Sequence, residues 1–162
     1  MEPKFNAATP QRPAGERPLD APWLMVDLPT LMAQLRHEST WQEGDRNAIT
    51  VFKTAGLTIV LVLLRAGATL TIGISEGLLS LHLLEGRLQL VADSGQPLPA
   101  LSSGQLLALH AGVPYRASAL AEATLLLTVA GHPRPPEAGG PPYLLQLADD
   151  VNDISALLEK RG

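Results

Sequence analysis

Between Ala48 and Ala130 the chain is a succession of short apolar stretches: AITVFKTA, LTIVLVLLRAG, ATLTIGI, LLSLHLLEG, RLQLVAD, QPLPALSSG, QLLALHAG, YRASAL and ATLLLTVA. Gly, Pro, Asp or Ser punctuates the joins. Many short strands with tight turns predict an all-β sandwich or barrel. The stretches do not alternate with long helices, which argues against a doubly wound α/β sheet. The most apolar run, Leu57 to Leu64, ends at Arg65. It is far too short to span a bilayer and reads as a buried strand.

The flanks follow other patterns. Residues 1–22 are rich in Pro, Ala and Arg and have no periodicity, so they read as a flexible arm. In LPTLMAQLRH, residues 28–37, Leu28, Leu31, Met32 and Leu35 share one helical face. This predicts a short helix docked on the main body, which spans residues 23–131. Residues 132–142, HPRPPEAGGPP, form a linker in which neither helix nor strand should persist. In residues 143–162, Leu144, Leu147, Val151, Ile154 and Leu158 recur at steps of three and four. That is an amphipathic C-terminal helix with acids on its polar side, packed on its own barrel or on a partner. At little over two heptads it is too short for a stable coiled coil alone.

Composition narrows the functional classes. Aromatic residues make up only 4% of the chain, so the interior is built of Leu, Val, Ile and Ala and offers few stacking platforms for bases. Net charge is −4 and the basic residues are scattered, so the footprint of a nucleic-acid binder is absent. There is no cysteine, which excludes disulfides, thiolate metal sites and Cys nucleophiles and fits a reducing cytoplasm. The N-terminal stretch has no apolar segment of the secretory kind, and no membrane association is expected.

The stretch GATLTIGISEGLLSLHLLEGRL, residues 67–88, resembles the first motif of the cupin superfamily. That motif is a Gly, five residues, His-x-His, three or four residues, Glu, six residues, Gly. Gly67 opens it and Gly86 closes it, while the ligand positions fall on Gly73, Ser75 and Leu79. The second cupin motif is a Gly, five residues, Pro-x-Gly, two residues, His, three residues, Asn. Gly104 opens it; His110 stands at its Pro, Gly112 at its Gly, Tyr115 at its His and Ala119 at its Asn. The lead-in WQEGDRNAITVFKTAGLTIVLVLLRAG, from Trp41, is similar to that of small single-domain bacterial cupins. The resemblance covers about half the chain. It implies a cupin-type double-stranded β-helix, that is, a jelly-roll barrel with a short N-terminal helix and a C-terminal helix. It also implies pairing through the sheets as a homodimer, with outward apolar residues such as Leu84 covered by the partner.

The resemblance keeps the spacing and loses the ligands. A cupin metal needs imidazoles and a carboxylate converging inside the barrel. Gly73 has no side chain, Leu79 cannot coordinate, and Ser75 and Tyr115 are poor neutral ligands, so no metal and no other cofactor is expected. If Leu79 points inward, alternation turns Leu81 and Leu83 inward as well and His82 outward. His110 is expected on a loop near the barrel mouth, and one histidine makes no metal site.

Gly73, Ser75, Leu79, Leu81, His110 and Tyr115 are therefore the candidate ligand-binding residues, with no catalytic residue assigned. Such a lining suits a small, mostly apolar ligand oriented by one or two hydrogen bonds. Three functions stay open: a metal-free binding or sensing barrel, a metal-independent sugar-type isomerase or epimerase using Tyr115 and His110, and an interaction module whose barrel is filled by leucines. GISEG, residues 73–77, also matches the Gly-x-Ser-x-Gly nucleophile elbow. That elbow needs a helix after the serine, whereas a strand is expected here.

Overall fold

The computed structural model describes residues 4–7, 12, 17–72, 77–92, 94–110 and 115–131. The linker 132–142 and the C-terminal segment 143–162 lie outside the described residues, as do Gly73 and Ser75.

The expected strands form two antiparallel sheets. One runs β3 (Arg46–Lys53), β4 (Leu57–Leu64), β11 (Ala123–Ala130), β6 (Leu78–Glu85), β9 (Leu106–Leu109) in spatial order. The other runs β5 (Thr69–Ile72), β10 (Tyr115–Ala119), β7 (Arg87–Ala92), β8 (Leu101–Ser102). Apart from the consecutive pairs β3–β4 and β7–β8, neighbouring strands in space are separated in sequence, as in a jelly roll, and the two inner faces enclose one core. Val60, Val62 and Leu64 of β4, Leu79, Leu81 and Leu83 of β6, Leu88 and Leu90 of β7, Ala117 and Ala119 of β10, and Leu125 and Leu127 of β11 all join it. Each set is spaced by two, because successive side chains of a strand point to opposite faces.

The outer face of the five-stranded sheet carries a second, smaller core. Helix α1 (Leu28–His37) and the short α2 (Ser39–Glu43) lay Met32, Leu35 and Trp41 over Ile49, Leu61 and Leu63, with Leu84 and Leu126 packed at the margin. Strand β4 is thus buried on both faces, which explains why its sequence is a continuous apolar run rather than an alternating one. It also corrects the expectation for Leu84. That side chain is partly buried against the chain's own helical layer rather than left open for a partner. Helix α1 starts where expected because Asp27 accepts a hydrogen bond from the Thr30 amide at 2.9 Å and a proline occupies the first turn. At the far end of the sheet the Arg65 guanidinium stacks 4.3 Å over the Trp41 ring and its Nη2 donates to the Trp41 carbonyl at 2.8 Å. Both residues belong to the lead-in phrase, so that phrase has a packing origin.

The N-terminal residues depart from the flexible arm expected for 1–22. β1 (Lys4–Asn6) and β2 (Arg17–Asp20) pair as an antiparallel ribbon. Polar contacts tie this ribbon to the barrel. Arg12 donates from Nε and Nη2 to the two carboxylate oxygens of Glu38, at 2.9 Å each, and to the Ala48 carbonyl at 2.8 Å. Arg17 donates to the Thr50 carbonyl. Asn47 bridges the Leu35 carbonyl and Glu38 at 3.0 and 2.8 Å. Burial alone would raise the Glu38 carboxyl, but hydrogen bonds from Arg12, Asn47 and Gln34 and the Arg12 charge outweigh it and hold it below the usual carboxylate range. Burial, with the adjacent Arg12 charge and against the pull of Glu38, lowers Arg17 to about 10. No helix among the described residues is long and apolar enough to cross a membrane.

Candidate functional site

The glycines that define the motif spacing share one backbone property. Gly67, Gly86 and Gly104 have φ of 86°, 93° and 84°, a region that side-chain-bearing residues rarely adopt. They turn the chain at Arg65–Ala68, between β6 and β7, and between β8 and β9. The spacing between them therefore sets where each intervening strand begins and ends.

Leu79 takes the position at which the motif carries its carboxylate. It points into the core, is 4% exposed, and stands directly opposite Leu109 on β9 and Val129 on β11. Both neighbours are buried and face inward as well. A charged group here would meet hydrocarbon on either side. Tyr115, at the second motif's His position, opens β10 on the same inward parity as Ala117 and Ala119. It is half-buried against the core cluster, opposite Ile72 of β5 and Ala92 of β7. Among the described residues no group of three or more His, Asp or Glu side chains is placed to hold a metal ion. The donor set thus does not fit a cupin metal: an aliphatic side chain and a phenol stand where a carboxylate and an imidazole would be needed, and the remaining positions are a glycine and a serine.

Of the other described candidates, His110 shares a groove lining with Leu79, while Leu81 and Tyr115 do not. Leu81 has no exposed surface and is packed as core between its cross-strand neighbours Leu127 and Leu107, so it lines no accessible pocket. His82 faces outward, half-buried, as alternation requires. Leu109 is the inward residue at the end of β9, so His110 turns to the outer face, where it is exposed. It lines a groove of about 190 Å³ with Leu78, Leu79, Ser80, Ala108, Leu109, Thr128 and Ala130. Tyr115 does not line this groove. The pairing of Tyr115 with His110 expected for an isomerase is therefore not formed there. The nucleophile elbow fails on its own requirement, since the element after Ser75 is strand β6 and not a helix.

Sequence reasoning missed Ile72, Leu109 and Val129 around Leu79 and Tyr115, although the same period-two count that oriented Leu79 would have found them. It also missed the outer groove, whose floor of Ser80, Ala108 and Thr128 shows only as small residues at outward positions.

No protein-family model and no curated protein matches this chain. Solved structures do match it. A cupin 2 conserved barrel domain protein from Leptotrichia buccalis superposes with a TM-score of 0.50 at 15% identity, over 52% of this chain and 40% of that one. A conserved protein of unknown function from Streptococcus pyogenes gives a TM-score of 0.49 at 23% identity, over 56% and 76%. An RmlC-like cupin from Desulfovibrio desulfuricans gives 0.48 at 24% identity, over 52% and 81%. Identities this low speak for the fold alone; the match at a TM-score of 0.50, together with the sheet order and the motif glycines, shows that the chain has the cupin fold, a double-stranded β-helix.

Proposed function

We propose that this protein is a metal-free cupin barrel that works as a binding module and takes a small, mostly apolar ligand at the barrel end framed by Leu79 and Tyr115. The observation that carries the reading is Leu79, buried between Leu109 and Val129 at the position of the metal-binding carboxylate. Hydrocarbon in place of charge favours an apolar guest, and the half-buried Tyr115 hydroxyl supplies one orienting hydrogen bond. The lack of cysteine fits action in the cytoplasm. A general base beside Tyr115 is what catalysis would require, and His110 lines a groove that Tyr115 does not share.

A panel of short aliphatic and aromatic alcohols tests this. At least one should raise the melting temperature in a saturable way, and Tyr115→Phe should weaken that binding about tenfold, the worth of one hydrogen bond. A panel that leaves the melting temperature unmoved, or a Tyr115→Phe variant that binds equally well, would overturn the proposal.

A second reading has its own support. Leu81, Leu83, Leu88, Leu90 and Leu125 are fully buried and fill the middle of the barrel. A barrel filled to its end would serve as a scaffold for protein contacts, and an unresponsive alcohol panel would favour that role.

A further inference from the structure

Three buried hydroxyls among the described residues make no hydrogen bond, those of Thr50, Thr58 and Thr124. A hydroxyl taken from water without a partner destabilises the fold, so each needs a reason. Thr124 is on the outer face, opposite Leu63 and Glu85. Thr50 and Thr58 face inward. Thr50 lies between Ile49 and Val51, which pack on the outer cluster, and Thr58 keeps the inward parity of Val60, Val62 and Leu64. Thr50 stands opposite Val60, in the filled middle of the barrel. Thr58 is one row nearer the barrel end.

The registers put Thr58 in the row that holds Leu79. Thr58 pairs with Val129, Val129 with Leu79, and Leu79 with Leu109. In the facing sheet Tyr115 is flanked by Ile72 and Ala92. Thr58 and Tyr115 thus supply the two hydroxyls of these rows, and the rest of the lining between them is hydrocarbon. Lys53, opposite Thr58 on the edge strand, has an interaction of its own. At the other end of the barrel Leu64 pairs with Ala123, and the Ala119 amide donates to the Ala68 carbonyl at 2.9 Å. The β5–β10 pair therefore lies across from the β4–β11 pair, and Tyr115 is offset from Thr58 by one strand.

We propose that Thr58 is the inner polar anchor of this site, and that the ligand class is a short hydrocarbon with an oxygen function at each end, such as a terminal diol or a hydroxy ketone. The inference rests on the reading of the Leu79–Tyr115 barrel end as a ligand site and specifies what that site selects. With sheets about 10 Å apart and strands about 4.8 Å apart, the backbones at Thr58 and Tyr115 are separated by about 11 Å. The two side chains close part of that gap, and a few methylene groups span the remainder. One ligand oxygen meets Tyr115, which is half-buried, and the other meets Thr58, which is 2% exposed. The methylenes between them lie on Leu79 and Val129. Each hydroxyl can donate or accept, so an alcohol and a carbonyl both fit. A ligand with a single oxygen leaves Thr58 unpaired, and that difference is the source of the selectivity.

Terminal diols from propane to hexane, each set against the mono-alcohol of the same carbon number, are titrated into the full chain and followed by melting temperature. At least one diol should bind about tenfold more tightly than its mono-alcohol, the worth of one hydrogen bond. Without a partner the second hydroxyl would weaken binding to an apolar lining, so the sign of the difference is itself diagnostic. Thr58→Val should erase the preference and leave mono-alcohol binding unchanged, whereas Thr58→Ser, which keeps the hydroxyl, should retain it. Mono-alcohols that bind as tightly as the diols, or a preference that survives Thr58→Val, would overturn this inference and leave the apolar site standing. Binding by neither series would overturn both. The ligand-free protein provides a second measurement. Because the Thr58 hydroxyl makes no hydrogen bond, Thr58→Val should melt no lower than the wild type. A melting temperature several degrees lower would mean that this hydroxyl is already satisfied within the fold, and the proposal would fail.

Discussion

Gly86→Ala is expected to lower the free energy of unfolding by about 3 kcal/mol or more, among the most damaging single substitutions in the barrel. Gly86 joins β6 to β7 at a φ of 93°, and a Cβ there would come within 2.2 Å of the Glu122 carbonyl oxygen and 2.7 Å of the Ala123 Cα. Both obstacles are backbone, and Ala123 begins the long central strand β11, so neither can rotate away. Gly67 provides the control. Its φ is 86°, but an added Cβ would meet nothing within 4 Å. Gly67→Ala should cost about 1 kcal/mol, the price of a left-handed conformation without a clash. Urea unfolding of the two variants checks the contrast. Equal losses would mean that the close approach of β11 to the β6–β7 turn is not as described.

Leu79→Glu is expected to cost about 3 kcal/mol at neutral pH. The substitution restores the residue that the cupin motif carries at this position, yet places its carboxylate between Leu109 and Val129. Desolvation raises the pKa of such a carboxyl above its unfolded value, so the folded variant takes up a proton more readily than the unfolded chain. The deficit should therefore be largest well above that raised pKa and shrink as the pH falls through it toward the unfolded value near 4. Unfolding curves for wild type and variant at several pH values test both the size and the direction. A cost below about 1 kcal/mol, independent of pH, would mean that position 79 opens onto water rather than hydrocarbon.

The inner faces were legible because alternation needs nothing beyond the strand itself. Once Leu79 is turned inward, Leu81, Leu83 and the outward His82 follow, and they lie so in the structure. Gly67, Gly86 and Gly104 were legible for a similar local reason, since each must take a positive φ. Helix α1 announced itself through Asp27, the proline of its first turn and the spacing of Met32 and Leu35.

What was not legible depends on residues far apart in sequence. The N-terminal ribbon has no apolar alternation to reveal it; it is held by Arg12 on Glu38 and Ala48 and by Arg17 on Thr50. The partial burial of Leu84 comes from the cluster of Met32, Leu35, Trp41, Ile49, Leu61 and Leu63, brought there by the fold and not by the neighbours of Leu84 in the chain. His110 was expected near the barrel mouth because the motif places that position in a loop. Its actual direction is set by Leu109, which is still inward at the end of β9.

The central claim is that this barrel keeps the cupin spacing without the cupin metal site. Elemental analysis by mass spectrometry, on protein purified without a chelator or an affinity tag, tests it most directly. Transition metals and zinc at background level per chain are the predicted result. A metal near one equivalent per chain would contradict the account, because histidines or carboxylates outside Leu79 and Tyr115 would then have to build the site.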